Sequence, residues 1–73
     1  MTMIQLKLKA TEGALLRVIG VTERLGYPLL HIDASTSSDH MDVLIGVKPS
    51  RPIPLLLKQL NKLHDVQFAK AQS

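Results

Sequence analysis

The sequence predicts an α+β fold in which a four-stranded antiparallel sheet carries two helices on one of its faces. Three observations lead to this prediction. Short segments near the start, the middle and the end of the chain alternate apolar and polar residues, as half-buried strands do. Two other segments repeat their apolar residues at helical spacing. Turn-forming residues separate the segments, and the 73 residues leave room for a single domain, residues 1–73.

Strand one and helix one occupy the first third of the chain. Alternation predicts the strand, and a change to helical spacing at Gly13 predicts a helix over residues 12–25. Thr11 or Glu12 is expected to accept hydrogen bonds from the first backbone N–H groups of this helix. Gly26 stands where a left-handed C-terminal residue belongs. The apolar residues of the strand are Ile4, Leu6 and Leu8.

Strands two and three form a predicted hairpin in the middle of the chain. We place strand two at Leu29–Ser35 and strand three at Asp42–Lys48, joined by the polar segment 36–40. Strict alternation sends the side chains of strand two to opposite faces. One set is Leu29, His31 and Asp33, and the other is Leu30, Ile32 and Ala34.

Helix two and strand four complete the chain. Ser50 is predicted to cap helix two, and Pro52 and Pro54 fall in its first turn, where backbone N–H groups have no partner to lose. Val66–Lys70 is the predicted strand four. Right-handed crossovers and a hairpin arrange these elements as a ferredoxin-like βαββαβ plait with strand two at an edge. The apolar face of helix two consists of Ile53, Leu56, Leu57, Leu60 and Leu63.

The composition excludes several classes of protein. The chain has no cysteine, which excludes a disulfide framework, a thiolate metal site and a cysteine nucleophile. Its apolar runs are far shorter than the ~18 residues that a membrane span needs. The N-terminus alternates polar and apolar residues, so no signal peptide is expected. We therefore expect a cytoplasmic protein without a membrane partner.

No pattern in the sequence predicts catalysis, a metal site or a cofactor. His31, His40 and His64 lack the i, i+4 helical spacing of metal ligands, and the hydroxyls of residues 35–38 have no base at a recognisable spacing. The net charge of +3 would allow contact with phosphates. The inner strands, however, carry no aromatic residue on which a base could stack. We therefore expect no nucleic-acid partner, and a basic nucleic-acid-binding plait is the third interpretation.

The small size of the domain predicts a protein partner. Below roughly 80 residues a single core seldom provides more than about 3–5 kcal/mol of stability. Strand two offers an edge on which Leu29, His31 and Asp33 could meet a second copy of the chain. We therefore predict a homodimer that pairs through this edge.

The turn from strand one into helix one is the candidate ligand site. Gly13 permits close backbone approach, and a helix N-terminus presents free N–H groups that suit the carboxylate of an amino acid. The alternative is a turn that binds nothing and needs glycine only for its geometry.

Two segments of the chain resemble a known family. Gly13–Gly20 (GALLRVIG), followed by Arg24–Tyr27 (RLGY), resembles the opening of ACT domains, particularly those of acetolactate synthase (acetohydroxyacid synthase) small subunits. Gln59–Val66 (QLNKLHDV) resembles the second helix and last strand of the short small subunit of the isozyme II type. The resemblance covers essentially the whole chain and implies the same plait.

This resemblance implies a regulatory, non-catalytic subunit that pairs with a second ACT domain edge to edge. It implies a large catalytic subunit as partner, which carries thiamine diphosphate, FAD and magnesium and condenses pyruvate with a second 2-oxo acid in branched-chain amino acid biosynthesis. The small subunit raises the activity of the large one, and feedback-sensitive members bind valine between paired ACT domains. The implied effector-binding residues are Thr11, Glu12, Gly13, Ala14, Leu15, Tyr27, Pro28 and Leu29.

The chain departs from the feedback-sensitive members at two positions. Those members carry asparagine where this chain has Ala10 and Pro28. An amide both donates and accepts hydrogen bonds, whereas these side chains do neither, so we expect a weak valine response or none. A free-standing ACT sensor that regulates another enzyme is the alternative interpretation.

Docking on the large subunit is expected through apolar residues on the outer sides of the two helices. Such residues, next to charge, are candidate contacts for a protein partner. The predicted contacts are Leu16, Leu55, Lys58 and Lys62.

Overall fold

A computed structural model describes residues 1–72 of the chain. The four strands form one antiparallel sheet in the order β2-β3-β1-β4. The predicted α+β, ferredoxin-like βαββαβ plait is therefore confirmed, with β2 at an edge. The elements in chain order are β1 (Thr2–Lys9), α1 (Ala14–Arg24), β2 (Leu29–Thr36), β3 (His40–Val47), α2 (Ile53–Asn61) and β4 (Val66–Ala71).

The core lies between one face of the sheet and the two helices. The central strands β1 and β3 pair so that their apolar residues share that face, with Ile4 opposite Ile45 and Leu6 opposite Val43. The opposite face, called the open face below, carries polar pairs such as Lys7 with Asp42. The largest fully buried side chains are those of Tyr27, Ile4, Leu6, Leu8, Ile45, Leu56, Leu60, Val18, Val47 and Thr22.

A β-bulge near the start of β2 changes the predicted alternation of that strand. Leu29 pairs with Val47 and His31 pairs with Gly46, so two residues of β2 face one residue of β3. Leu29 therefore shares the core side with Val47, whereas His31 and Asp33 lie on the open face. The prediction that all three share one face was wrong for Leu29, because strict alternation cannot anticipate an inserted residue.

The helix caps differ from the sequence prediction. The N-cap of α1 is Gly13, at a left-handed φ of 77°, and no side chain caps it. Thr11 and Glu12 therefore do not cap α1, and the Thr11 hydroxyl instead donates to Oδ1 of Asp65 at 2.7 Å. Gly26 is left-handed as predicted, with a φ of 93°.

Helix α2 begins without the predicted serine cap. Its N-cap residue is Pro52, and Pro54 lies in the first turn. The Ser50 hydroxyl does not reach the helix and instead donates to the Gly26 carbonyl oxygen at 2.6 Å. This bond joins the end of α1 to the segment before α2.

Candidate functional site

The predicted effector-binding residues lie in two groups at opposite ends of the sheet. Thr2, at the start of β1, pairs with Val47, which also pairs with Leu29 at the start of β2. The turn that contains Gly13 follows Lys9, at the other end of β1. Thr2 and Lys9 are seven residues apart along β1. At about 3.3 Å per residue, the two groups are therefore separated by about 23 Å. One chain therefore does not bring them together.

The β1–α1 turn is held by a carboxylate from the far end of the sequence. Asp65 accepts from the Thr11 hydroxyl at Oδ1 and from Nε of Arg17 at Oδ2. Its backbone carbonyl accepts from the Lys9 N–H at 2.8 Å. The Arg17 guanidinium also donates from a terminal nitrogen to the Glu12 carbonyl oxygen at 3.0 Å. The turn is thereby fixed from both sides.

The surroundings of Asp65 favour the ionised form of its carboxyl group. Its side chain is nearly buried, and the hydrogen bond from Arg17, followed by that from Thr11, holds the pKa of the Asp65 carboxyl below its usual range. The exposed imidazole of His64 adds a weaker attraction. Sequence reasoning missed this cluster, because Arg17 and Asp65 are 48 residues apart and no local pattern joins them.

The turn leaves few side-chain groups for a ligand. The Thr11 hydroxyl is engaged by Asp65, the Ala14 side chain is buried, and the Ala14 N–H donates to the Thr11 carbonyl oxygen at 3.2 Å. Glu12 is exposed and Leu15 is half-buried. A carboxylate could therefore bind through backbone N–H groups, at Gly13 and in the first turn of α1.

The second group of predicted effector residues, Tyr27, Pro28 and Leu29, mainly stabilises the fold. Tyr27 is fully buried, its hydroxyl donates to the Pro52 carbonyl oxygen at 2.7 Å, and its N–H donates to the Thr22 carbonyl oxygen. Tyr27 is thus a core residue with these polar groups satisfied, and its role in effector binding stays a prediction. Pro28 is exposed, but its carbonyl already accepts from the Lys48 N–H at 2.9 Å.

The β2 edge is exposed along almost its whole length. Every β2 residue except Leu29 is exposed, including two apolar ones, Leu30 at 58% and Ile32 at 41%. His31 and Asp33 project from the open face beside this edge. These features suit the predicted edge contact with a second copy, which stays a prediction.

The outer surface of α1 carries an apolar groove of about 530 Å³. Leu16 lines it and is 73% exposed, and no atom lies within 4 Å of the position where Gly20 would carry a Cβ. Leu55, the predicted contact leucine on α2, is also exposed, at 43%. The remaining lining residues are Gly13, Arg17, Val21, Arg24 and Leu63.

On α2, Leu55 stands next to the other predicted contacts. Lys58 is exposed one turn further along the helix, and Lys62, the C-cap residue, is exposed just beyond its end. Together with Leu55, these lysines follow one side of α2 and form a basic surface with an apolar residue at one end.

The histidines do not assemble a metal site. His40 lies between two exposed aspartates, with Nδ1 3.1 Å from Asp39 and Nε2 3.4 Å from Asp42. Its hydrogen bond holds the pKa of the Asp39 carboxyl below its usual range. Within residues 1–72, no group of three or more potential ligands is placed to hold a metal ion. None of the helices described is long and apolar enough to cross a membrane.

Solved structures of low sequence identity share this fold. The crystal structure of the ACT domain from GTP pyrophosphokinase of Chlorobium tepidum superposes with a TM-score of 0.84 at 12% identity. The match covers 97% of this chain and 95% of that domain. A solution NMR structure of the same domain gives a TM-score of 0.82 at 15% identity, over 99% and 84% of the two chains.

The sequence itself matches a family. No curated protein sequence matches the chain significantly. The ACT domain family, in contrast, matches residues 10–68, which include both helices and the central hairpin. This match covers more than half of the sequence, and the chain therefore belongs to the ACT domain family.

Proposed function

We propose that this chain is a non-catalytic regulatory subunit that activates the large catalytic subunit of acetolactate synthase in the cytoplasm. Membership of the ACT domain family supports a regulatory role in amino-acid sensing. The finer assignment is supported by the resemblance of Gly13–Gly20 and Gln59–Val66 to the small subunits of that enzyme. Thiamine diphosphate, FAD and magnesium would be carried by the large subunit, and this chain would contribute none of them.

The groove on α1 is the observation that carries this proposal. Leu16 is far more exposed than the apolar residues that face the core, and Gly20 leaves room for a partner backbone to approach. Arg24 borders the groove and would suit an acidic residue on the partner. The surface around Leu55 would provide a second contact on α2.

Activation would follow from a difference in affinity. A subunit that binds the active conformation of the enzyme better than the inactive one shifts the population toward the active form. A tenfold shift needs a difference in binding free energy of about 1.4 kcal/mol. One buried leucine side chain supplies a free energy of this order, about 1.5–3 kcal/mol. No reaction step in this chain is required.

A weak response to valine, or none, is part of the proposal. Ala10 and Pro28 supply no side-chain hydrogen bonds, and the Thr11 hydroxyl and the Arg17 guanidinium are engaged within the chain. The two groups of effector residues would meet only across a homodimer. Antiparallel pairing of two β2 edges brings the start of β2 in one copy to the end of the sheet where the partner copy has its β1–α1 turn.

The test is an activity assay with the purified large subunit, performed with and without valine. Leu16→Asp places a charge in the groove and should abolish most of the activation. Gly20→Ala is the sharper variant, because it adds a methyl group inside the groove while raising helix stability by about 0.5–1 kcal/mol. If Gly20→Ala activates the large subunit less although the chain is more stable, the loss is caused by weaker docking and not by unfolding.

Leu55→Asp makes the same substitution on α2 and serves as the matched variant. If both Leu16→Asp and Leu55→Asp activate the large subunit as well as the unmodified chain does, the docking surfaces proposed here are wrong. If the unmodified chain neither binds nor activates the large subunit, the acetolactate synthase assignment itself fails.

A free-standing amino-acid sensor is the second candidate. It is compatible with membership of the ACT domain family, which supports amino-acid sensing without specifying the enzyme that is regulated. Calorimetric titration of the chain alone with amino acids distinguishes the two functions. Binding at micromolar affinity without a large subunit would support the sensor and contradict the weak valine response.

A further inference from the structure

We infer that two copies of this chain pair through β2 about a two-fold axis at Ile32, so that His31 of each copy faces Asp33 of the other. This inference rests on the homodimer in the proposed function and adds its register. It commits to a second copy as the occupant of the β2 edge, and the charges on that edge are the reason.

The outer backbone groups of β2 can be identified from the hairpin. The Ser37 N–H donates to the His40 carbonyl oxygen at 2.8 Å, which makes these two residues a hydrogen-bonded pair. Such pairs alternate along an antiparallel ladder, so Asp33 and Ser35 direct their backbone groups toward β3. Ile32 and Ala34 consequently direct theirs away from the sheet, toward a new strand.

Three positions of the axis pair the outer groups of both Ile32 and Ala34 within the two β2 strands, and the side chains that they set opposite each other differ. An axis at Asp33 sets that carboxylate opposite its own copy, and like charges directly opposite are destabilising. An axis at Ala34 sets Asp33 opposite Ser35, a neutral hydroxyl, and places the apolar Ile32 opposite the polar Thr36. An axis at Ile32 sets His31 opposite Asp33 twice, once on each side of the axis.

The Ile32 axis also matches the chemistry of the edge. An imidazole N–H donates to a carboxylate whether the ring is neutral or protonated, so the two pairs form over a wide pH range. Ile32 meets Ile32 of the other copy, and Leu30 lies opposite Ala34, which covers the two exposed apolar residues of the strand. Within β2 there is no lysine and no proline, the residues that commonly prevent edge pairing.

Single cysteine variants test the register directly, because the chain has no cysteine of its own. Ile32→Cys places the two sulfurs at directly opposed positions, within the 4.4–6.8 Å Cα separation typical of disulfides, and should cross-link under mild oxidation. Ala34→Cys is the matched control. With the axis at Ile32, the two copies of position 34 are offset by four residues, about 13 Å, and should not cross-link.

The opposite result, a cross-link at position 34 and none at position 32, would overturn the register. A dimer in sedimentation equilibrium that cross-links at neither position would show that another surface pairs. A monomer at all concentrations would remove the pairing itself, while the activation assay would still decide the regulatory function separately.

A charge exchange tests the two His31–Asp33 pairs. His31→Asp sets two carboxylates opposite each other on both sides of the axis and should weaken the dimer about tenfold. The double variant His31→Asp with Asp33→His restores both pairs in exchanged positions and should recover the original dissociation constant. Ser35→Asp adds a carboxylate two residues away and should change it little. Failure of the double variant to recover, with normal thermal unfolding, would contradict the proposed pairs.

Discussion

The two edge strands of the sheet differ in what surrounds their outer backbone groups. At β4, the Asn61 side chain donates from Nδ2 to the Ala69 carbonyl oxygen at 2.9 Å and accepts from the Ala69 N–H at Oδ1 at 3.0 Å. Asn61 is the last residue of α2, so this helix covers part of the β4 edge. At β2, none of the side-chain hydrogen bonds within residues 1–72 reaches the backbone of Ile32 or Ala34. The chain itself covers part of the β4 edge, whereas the β2 edge is open to a partner.

Removing the side-chain contact at β4 should have the largest effect on stability. Asn61→Ala loses two hydrogen bonds to the partly buried Ala69 backbone and an exposed one to the Leu57 carbonyl oxygen. With a net value of about 1 kcal/mol for each of the two bonds to Ala69, the free energy of unfolding should fall by about 2 kcal/mol. Denaturant titration at low protein concentration measures this loss. Asn61→Asp keeps the acceptor for the Ala69 N–H but turns a carboxylate oxygen toward the Leu57 and Ala69 carbonyl oxygens, so it should lose at least as much. A loss below 0.5 kcal/mol, about the level of an ordinary surface change, would mean that the Asn61 contact does not hold this edge.

Asp65, in the loop before β4, should make the stability of the fold depend on pH in acid. This effect should be smaller than that of Asn61→Ala. Because Arg17 and Thr11 hold the pKa of the Asp65 carboxyl below its usual range, this group stabilises the fold above the ordinary aspartate value of about 3.9. That stabilisation is lost as the pH falls through the lower pKa of the folded state. Thermal unfolding between about pH 5 and 2 should therefore show a fall in the unfolding temperature, which Asp65→Asn makes shallower.

Asp39 provides the matched control for this pH dependence. The pKa of its carboxyl is also lowered, through His40, but its side chain is exposed, where solvent screens such pairs. Asp39→Asn should therefore keep most of the acid dependence. An equal flattening by both variants would show that general charge effects, and not the Asp65 cluster, control stability in acid.

The order of elements follows from the sequence because each element carries its own local signal. Ile4, Leu6 and Leu8 alternate, Gly26 ends α1 as predicted, and both helices have a continuous apolar face. These signals depend on neighbours within a few residues. Local pattern was therefore sufficient for the plait, and the strand bounds differ from the prediction by only a few residues.

The details of the candidate site depend on contacts between distant parts of the chain. The Asp65 cluster, the Asn61 contact and the hydrogen bond from Tyr27 to Pro52 each join residues that no short window contains together. The caps were wrong for the same reason, since Thr11 and Ser50 have better partners elsewhere in the fold. The separation of the two effector groups follows from strand register, which sequence periodicity does not provide.

The smallest effect on stability is expected at the exposed edge, where the effect on association should be clear. Ile32→Lys changes a side chain that is 41% exposed, so the free energy of unfolding of the monomer should change by no more than about 0.5 kcal/mol. Lysine at an edge strand opposes pairing, so self-association in sedimentation equilibrium should weaken. Gln67→Lys introduces a lysine on β4 and should alter neither the free energy of unfolding nor the self-association. If Gln67→Lys weakens the dimer and Ile32→Lys does not, β4 and not β2 is the edge that meets the second copy.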